Sequence, residues 1–391
     1  MRRFSPLPLC ASLVLLTAAP LAAEDAGYPV ELFDGRTLNG WTIEGDCEAE
    51  VRDGVILLKS GNGWLRSDLT YADFELRLEW QALQAEKYDA GIFVRTAPGG
   101  KPWPKESFQL NLAQGHEGVV NRLRGTKAPA SLRPAGEWNT FVIRAVGDRL
   151  SLAANGEPVY DVAGLSAPAG HIGLQVEVPS GGQFLVRNVG ITELGHKSLF
   201  DGKSLAGWEG AGAPAEACWK VDDGLLVCTG KKGPWLRSKE RYGDFNLRLE
   251  YLVEPGGNSG VFVRVPENGD HHREKDSDPP AGFEIQILDD TAPQHAKLRD
   301  YQYSGSLYDI AGATRRVGRP VGQWNTLEIN CQGQHVTTTH NGTVIVDATA
   351  ESHPKLALRN LAGHLGLQNH STLVKFRRLR LGPPLARDPM K

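Results

Sequence analysis

The sequence spells "LFDGRTLNGW" at residues 32–41 and "LFDGKSLAGW" at 199–208, and the echo continues in fixed order. "WLRS" at 64–67 returns at 235–238, "DFELRLEW" at 73–80 returns as "DFNLRLEY" at 244–251, and "GIFVR" at 91–95 returns as "GVFVR" at 260–264. "EWNTFVI" at 137–143 and "GHIGLQ" at 170–175 return as "QWNTLEI" at 323–329 and "GHLGLQ" at 363–368. The offset between matching segments grows from 167 to 193, so the second copy has the longer loops. A repeat of this length is far beyond the roughly 20–50 residues of a solenoid unit, and each copy must bury a core of its own. The boundary falls at Gly195-His196, which gives two tandem domains over residues 24–195 and 196–391.

Almost every segment within a copy reads as a strand. "FELRLEW", "FQLNL" (108–112) and "FEIQIL" (283–288) alternate apolar and polar residues with the period of a half-buried strand. "NG" at 155–156 and at 341–342 sits between apolar runs, a hairpin signature. No amphipathic helical stretch of useful length interrupts them. The expectation is all-β: two tandem sandwiches or jelly rolls. Trp41/Trp208, Trp64/Trp235 and Trp138/Trp324 recur in both copies and read first as core or hairpin anchors, with sugar-stacking platforms as the sharper alternative.

The first 23 residues belong to neither copy. Arg2 and Arg3 precede a short apolar run broken by Pro6, Pro8 and Pro20, and Leu21-Ala22-Ala23 precedes an acidic start. This reads as a secretory signal peptide over residues 1–23, too short and too proline-broken to span a bilayer, so the mature chain is expected in the periplasm or outside the cell. The net charge of −3 becomes −5 when Arg2 and Arg3 leave. With no Lys/Arg run, nucleic acid is excluded as a partner, and no later stretch is apolar enough for a membrane span. Cys47, Cys218, Cys228 and Cys331 lack zinc-type spacing. Cys218 and Cys228 are equidistant from Asp223 in an apparent hairpin, which allows a disulfide; two buried free thiols fit as well.

The copies differ where a sandwich does not need polar groups. In "FEIQIL" the core takes Phe283, Ile285 and Ile287, leaving Glu284 and Gln286 together on the other face; copy one has Gln109 and Asn111 there. Copy two writes Asn258 and Ser259 where copy one has Asp89 and Ala90, and Asn369 and His370 where copy one has Val176 and Glu177. Tyr301, Tyr303 and Tyr308 have no tyrosine counterparts in copy one. Arg264 recurs as Arg95, which favours a structural ion pair. Residues 267–280, "ENGDHHREKDSDPP", read as a solvated loop, with metal binding through His271, His272, Glu274 or Asp276 as the alternative.

Taken in order, "LFDGKSLAGW", "PGGNSGVFVR", "GFEIQILDD", "GSLYDI", "GQWNTLEI" and "GHLGLQNH" resemble the 3-keto-disaccharide hydrolase domain family, across all of copy two and more loosely across copy one. The resemblance implies concanavalin-like jelly rolls, secretion in many members, and a carbohydrate substrate already oxidised to a ketone at sugar carbon 3. Carried over by motif, Asn258, Glu284, Gln286, Tyr308 and His370 match the family's polar positions, with Ser259 and Arg264 as further candidate substrate contacts. Copy one departs at each of the five.

A ketone at carbon 3 acidifies the carbon-2 proton and leaves the glycosidic oxygen β to the carbonyl. Loss of that proton, expulsion of the aglycone and addition of water amount to hydrolysis without the carboxylate pair of ordinary glycosidases. On this reading Glu284 or His370 is the base and Tyr308 the leaving-group acid, while Asn258 and Gln286 hold sugar hydroxyls or the enolate oxygen. A divalent metal on Glu284 and His370 is a second way to hold that oxygen. The rival reading is a non-catalytic, lectin-like tandem module.

Overall fold

The computed structural model describes residues 27–104 and 107–386; the segment read as a signal peptide, residues 1–23, lies outside them. Both copies are antiparallel β-sandwiches of the jelly-roll kind, and each buries a core of its own. In copy two the layers are separate sheets. One runs Trp219–Asp222, Leu225–Thr229, Leu373–Gly382, Phe245–Val253, Asn325–Gln332, His335–His340, Thr343–Thr349, with Lys197–Ser198 on the Leu373–Gly382 edge. The other runs Trp208–Gly210, Leu236–Tyr242, Gly363–Leu367, Asn258–Val265, Phe283–Leu288.

In copy one the layers are continuous. Val55–Tyr71 crosses from one to the other, pairing with Phe184–Glu193 through Ile56 to Leu58 and with Gly170–Glu177 through Asn62 to Tyr71. The bend is made at glycines: a side chain on Gly61 would come within 1.9 Å of the Asp46 carbonyl. Copy two splits this strand into Leu225–Thr229 and Leu236–Tyr242, and the interruption contains Pro234, which has no N–H to give to a ladder.

The alternation expected for copy one is present: Phe74, Leu76, Leu78 and Trp80 are buried while their neighbours are not. The "NG" pairs are tight turns with positive φ at Asn155, Gly156, Asn341 and Gly342. Trp41 and Trp208 anchor the repeated opening motif, each donating its indole N–H over 2.7 Å to a carbonyl of that motif, Leu32 and Leu199. Trp138 and Trp324 are half-buried under the guanidinium groups of Arg187 and Arg377, each 4.0 Å away.

Cys218 and Cys228 do not face each other. The hairpin turns at Asp223-Gly224, which places Trp219 opposite Cys228 and shifts Cys218 one rung along. Their thiols go to the Pro234 carbonyl and to Asn369 Oδ1 instead. All four cysteines of copies one and two are free. A thiol titration of the unfolded protein, without reductant and with the leader removed, is expected to count four; a count of two would show a bridge.

One strand departs from expectation. Phe245–Val253 is buried along its whole length, on both faces, although "DFNLRLEY" alternates. Its polar face carries Asn246, Arg248 and Glu250, and copy one meets it at Arg248. Glu193 of copy one, 2% exposed, accepts from Arg380 Nη2 at 2.7 Å and lies 3.2 Å from Arg248 Nη1. Arg248 also reaches Glu328 at 2.7 Å and donates to the Thr70 carbonyl, with its guanidinium over the Tyr71 ring. Burial pushes the Glu193 carboxyl up, but the two arginines overcome it and hold it at about 2. A cavity of about 1030 Å³ opens along the same seam, lined by groups that include Asp68, His171 and Glu328. Among the described residues no helix is long and apolar enough to cross a membrane.

Candidate active site

The polar groups that set copy two apart gather on the outer face of its five-stranded sheet. Inner-face residues Leu236, Val261, Val263, Ile285, Ile287, Leu365 and Leu367 fill the core. In register, Phe262 lies opposite Glu284, Gly260 opposite Gln286, and Asn258 opposite Leu288, so Asn258, Glu284 and Gln286 share the outer face. Gly260 is required there. A Cβ at that position would lie 2.1 Å from Glu284 Oε1, so its absence lets the carboxyl lie across the neighbouring strand and hydrogen-bond Gln368.

Tyr308 is brought alongside by backbone pairing. Tyr308 N donates to the Glu284 carbonyl at 2.9 Å, Gln286 N to the Ser306 carbonyl at 3.0 Å, and Gly305 N to the Gln286 carbonyl at 2.8 Å. The phenol oxygen accepts from Gln302 Nε2 at 3.4 Å, and the ring meets Tyr301 and His272 edge-on, each 5.8 Å away.

The loop over residues 267–280 folds back onto this face. Most of its residues are exposed, as the solvated-loop reading expects, but His271 is half-buried: it stacks on Phe262 with centroids 4.8 Å apart, and His272 lies 4.2 Å beyond. His271 Nε2 is 3.3 Å from Glu284 Oε2, and its Nδ1 is 3.1 Å from the Gly269 carbonyl. A carbonyl only accepts, so Nδ1 carries the hydrogen and Nε2 keeps its lone pair. Burial pushes the Glu284 carboxyl up to about 8, and burial with the nearby positive charge of Arg359 lowers His271. At neutral pH burial therefore favours the protonated Glu284 carboxyl, with the unprotonated Nε2 of His271 3.3 Å from it. A carboxyl and an imidazole this close and out of water can pass a proton between them.

Asn258 is half-buried, with its backbone N donating to Thr372 Oγ1 at 2.9 Å; its side-chain amide has no hydrogen-bond partner among the described residues. Gln286 accepts from Ile287 N at 3.0 Å through Oε1, and its Nε2 donates to no described residue. Three candidates lie elsewhere. His370 is exposed in the turn after Gly363–Leu367, and none of the described contacts of Glu284 involves it. Ser259 points to the opposite side of its strand from Asn258, and its hydroxyl donates to the Gln368 carbonyl at 2.8 Å. Arg264 donates to the Gly243 and Gly333 carbonyls and to Asp244, as Arg95 donates to the Ala72 and Gly147 carbonyls and to Asp73. Both arginines clamp turns, so Arg264 is a structural group. No cluster of three or more His, Cys, Asp and Glu arranged to hold a metal ion occurs among the described residues.

His271 and Gln368 complete the arrangement and were not assigned to it from the sequence. A signal for His271 existed: the offset between copies steps from 169 at Arg95/Arg264 to 175 at Phe108/Phe283, so copy two is longer in the segment that carries both histidines.

The model of the 3-keto-alpha-glucoside-1,2-lyase-like domain matches the chain twice, over residues 28–192 and 195–382. The chain belongs to this family. Both copies of the 3-keto-alpha-glucoside-1,2-lyase-like domain are thus recognised, including the one without the imidazole pair. The chain is also similar to a 3-keto-disaccharide hydrolase of Bacteroides thetaiotaomicron, 27% identical over 228 residues, covering 48% of this chain and 78% of that protein. Among solved structures it is similar to a Parabacteroides distasonis protein assigned as a glycosyl hydrolase, with 25% identity, a TM-score of 0.40, and coverage of 48% of this chain and 98% of that one. A carbohydrate-binding module of Bacillus subtilis aligns over 39% of this chain and 96% of its own, at 17% identity and a TM-score of 0.32.

In copy one the matching face is made of amides and one acid. Gln109 donates to Gln175, and Gln175 donates to Glu177 at 2.8 Å. Gly91 leaves the space for Gln109 that Gly260 leaves for Glu284. The scaffold is kept and the shared proton is not.

Proposed function

We propose that copy two cleaves the glycosidic bond of 3-keto-glycosides by elimination followed by hydration, and that His271 with Glu284 is its acid–base pair. The observation that carries this is the 3.3 Å contact between a buried carboxyl and an imidazole whose tautomer is fixed by a backbone carbonyl. Family membership supports the substrate class.

In the first half-reaction the carbon-2 C–H bond breaks and its proton passes to the pair. The electrons form a carbon 2–carbon 3 double bond and place negative charge on the carbon-3 oxygen. As that enolate collapses, the carbon 1–oxygen bond breaks and the aglycone oxygen takes a proton from Tyr308. Water then adds: its oxygen joins carbon 1 as its proton restores the Tyr308 phenol, and the pair returns its proton to carbon 2, releasing a reducing 3-keto sugar. Asn258 and Gln286 face the sugar with amide groups free to bind hydroxyls. Because Glu284 is 3% exposed beneath the His271 loop, substrate entry requires that loop to lift and chemistry proceeds with it closed. In this proposal copy one binds carbohydrate without turning it over, and the N-terminal leader sends the protein out of the cytoplasm.

Incubation with a 3-keto-glucoside and with its unoxidised parent tests the reading. Release of aglycone from the keto compound alone is expected. Binding of both with release from neither would leave a lectin-like module, and cleavage of the parent would indicate an ordinary glycosidase.

A further inference from the structure

Arg359 is buried, 4% exposed, and its Nε, Nη1 and Nη2 have no hydrogen-bond partner among the described residues. Guanidinium groups stay charged at any pH a protein survives, and a buried charge without hydrogen bonds is strongly destabilising. Buried polar groups are otherwise satisfied almost without exception. Such a group is kept because its partner is supplied from elsewhere.

Its surroundings say where. Arg359 pairs in parallel with Ala281, just before the Phe283–Leu288 strand, and Asn360 N donates to the Ala281 carbonyl at 2.9 Å. The loop that delivers His271 closes over the same segment: Arg273 donates to the Leu358 carbonyl at 2.9 Å, and Gly282 N donates to the Asp270 carbonyl at 2.9 Å. The charge of Arg359 is felt by His271, and Asp309 and Glu274 are the acids near it. Those two acids are bound by Lys355, at 2.8 and 3.0 Å, and not by Arg359. The arginine is thus balanced in charge and unpaired in hydrogen bonds. At the offset that relates Gly170-His171 to Gly363-His364, copy one has Ser166 in its place. The charge is therefore one more feature confined to the copy that holds the acid–base pair.

A guanidinium has only hydrogens to give, so the missing partner is an acceptor, and an oxygen anion is the acceptor it binds most strongly. The elimination reaction generates such an anion beside His271. We propose that Arg359 receives the negative charge that develops on the carbon-3 oxygen as the carbon-2 proton leaves. This rests on the reaction assigned above: the proton goes to the His271–Glu284 pair, the electron pair goes to the ketone oxygen, and the hydrogens of Arg359 close on that oxygen.

The test separates proton removal from bond cleavage. A 3-keto sugar with hydrogen in place of the leaving group at carbon 1 exchanges its carbon-2 proton with deuterium oxide, followed by proton NMR, and cannot eliminate. Arg359→Gln is expected to slow both this exchange and aglycone release by about 10²–10³-fold, the usual cost of losing an oxyanion donor, with Arg359→Lys recovering part of each. The melting temperature of Arg359→Gln is expected to hold or rise, because an unpaired buried charge has been removed. Exchange within twofold of wild type, or a collapse in melting temperature, overturns the proposal, since the second is what a structural arginine would show. Wild-type protein that neither exchanges nor releases aglycone would instead remove the reaction itself; a wild type that does both beside an unaffected Arg359→Gln removes only the role of Arg359.

Discussion

Glu284→Gln is expected to lower kcat/KM on a 3-keto-glycoside by about 10²–10⁴-fold, the range for removal of a positioned proton carrier. The amide fits the same space and can still donate to His271 Nε2, so the loss reads out the proton and not the shape. In the wild type kcat/KM should climb as pH rises through about 8, where Glu284 gives up the shared proton; in the variant that limb should vanish. Stability should move the other way. The carboxyl holds its proton up to about 8 when folded and to its ordinary value of 4.5 when unfolded. Between those values the folded protein binds the proton more tightly, so wild-type stability falls as pH rises across the window. The variant has no such proton, and its advantage should be nil near pH 4 and grow toward pH 8, with a ceiling on the order of 5 kcal/mol. Denaturation curves at pH 4.5 and 8 measure this. His271→Ala should match the loss of activity, and His370→Ala should leave most of it. Full turnover by both Glu284→Gln and His271→Ala would discard the site.

Glu193→Gln is expected to destabilise the protein by about 3–5 kcal/mol, because it leaves Arg248 and Arg380 buried against a neutral amide. The same contact makes a pH prediction of opposite sign to that of Glu284. Glu193 is depressed to about 2 from an ordinary 4.5, so its contribution is complete above pH 4.5 and is lost as pH falls toward 2. Acid denaturation of the variant should be correspondingly flatter across that range. A loss of less than 1 kcal/mol at pH 7 would mean that the seam is held by something other than this cluster.

The repeat, the strand alternation and the placement of Glu284 with Gln286 were legible because they follow from period and order along the chain. Tyr308 was legible as a tyrosine present in one copy only, and the structure adds the edge pairing that delivers it. His271 was not legible, because it is brought to Glu284 by a loop whose path depends on what it packs against, and Arg359 was not, because its segment meets that loop only in the fold. His370 attracted attention by sitting in a motif, yet the imidazole beside the acid comes from a lengthened loop whose composition looked solvated. In the alternation of "DFNLRLEY" Arg248 falls on the polar face, and nothing in its own segment announced that a second domain would cover it.

That covering has a practical consequence. A severed C-terminal half would present to water a strand face whose Arg248 and Arg380 had been built to meet Glu193 from the neighbouring half. Expressing the halves separately would therefore confound loss of chemistry with loss of footing. The division of labour between the twins is better read by disabling one site at a time in the intact chain, for instance by exchanging Gln109 and Glu284.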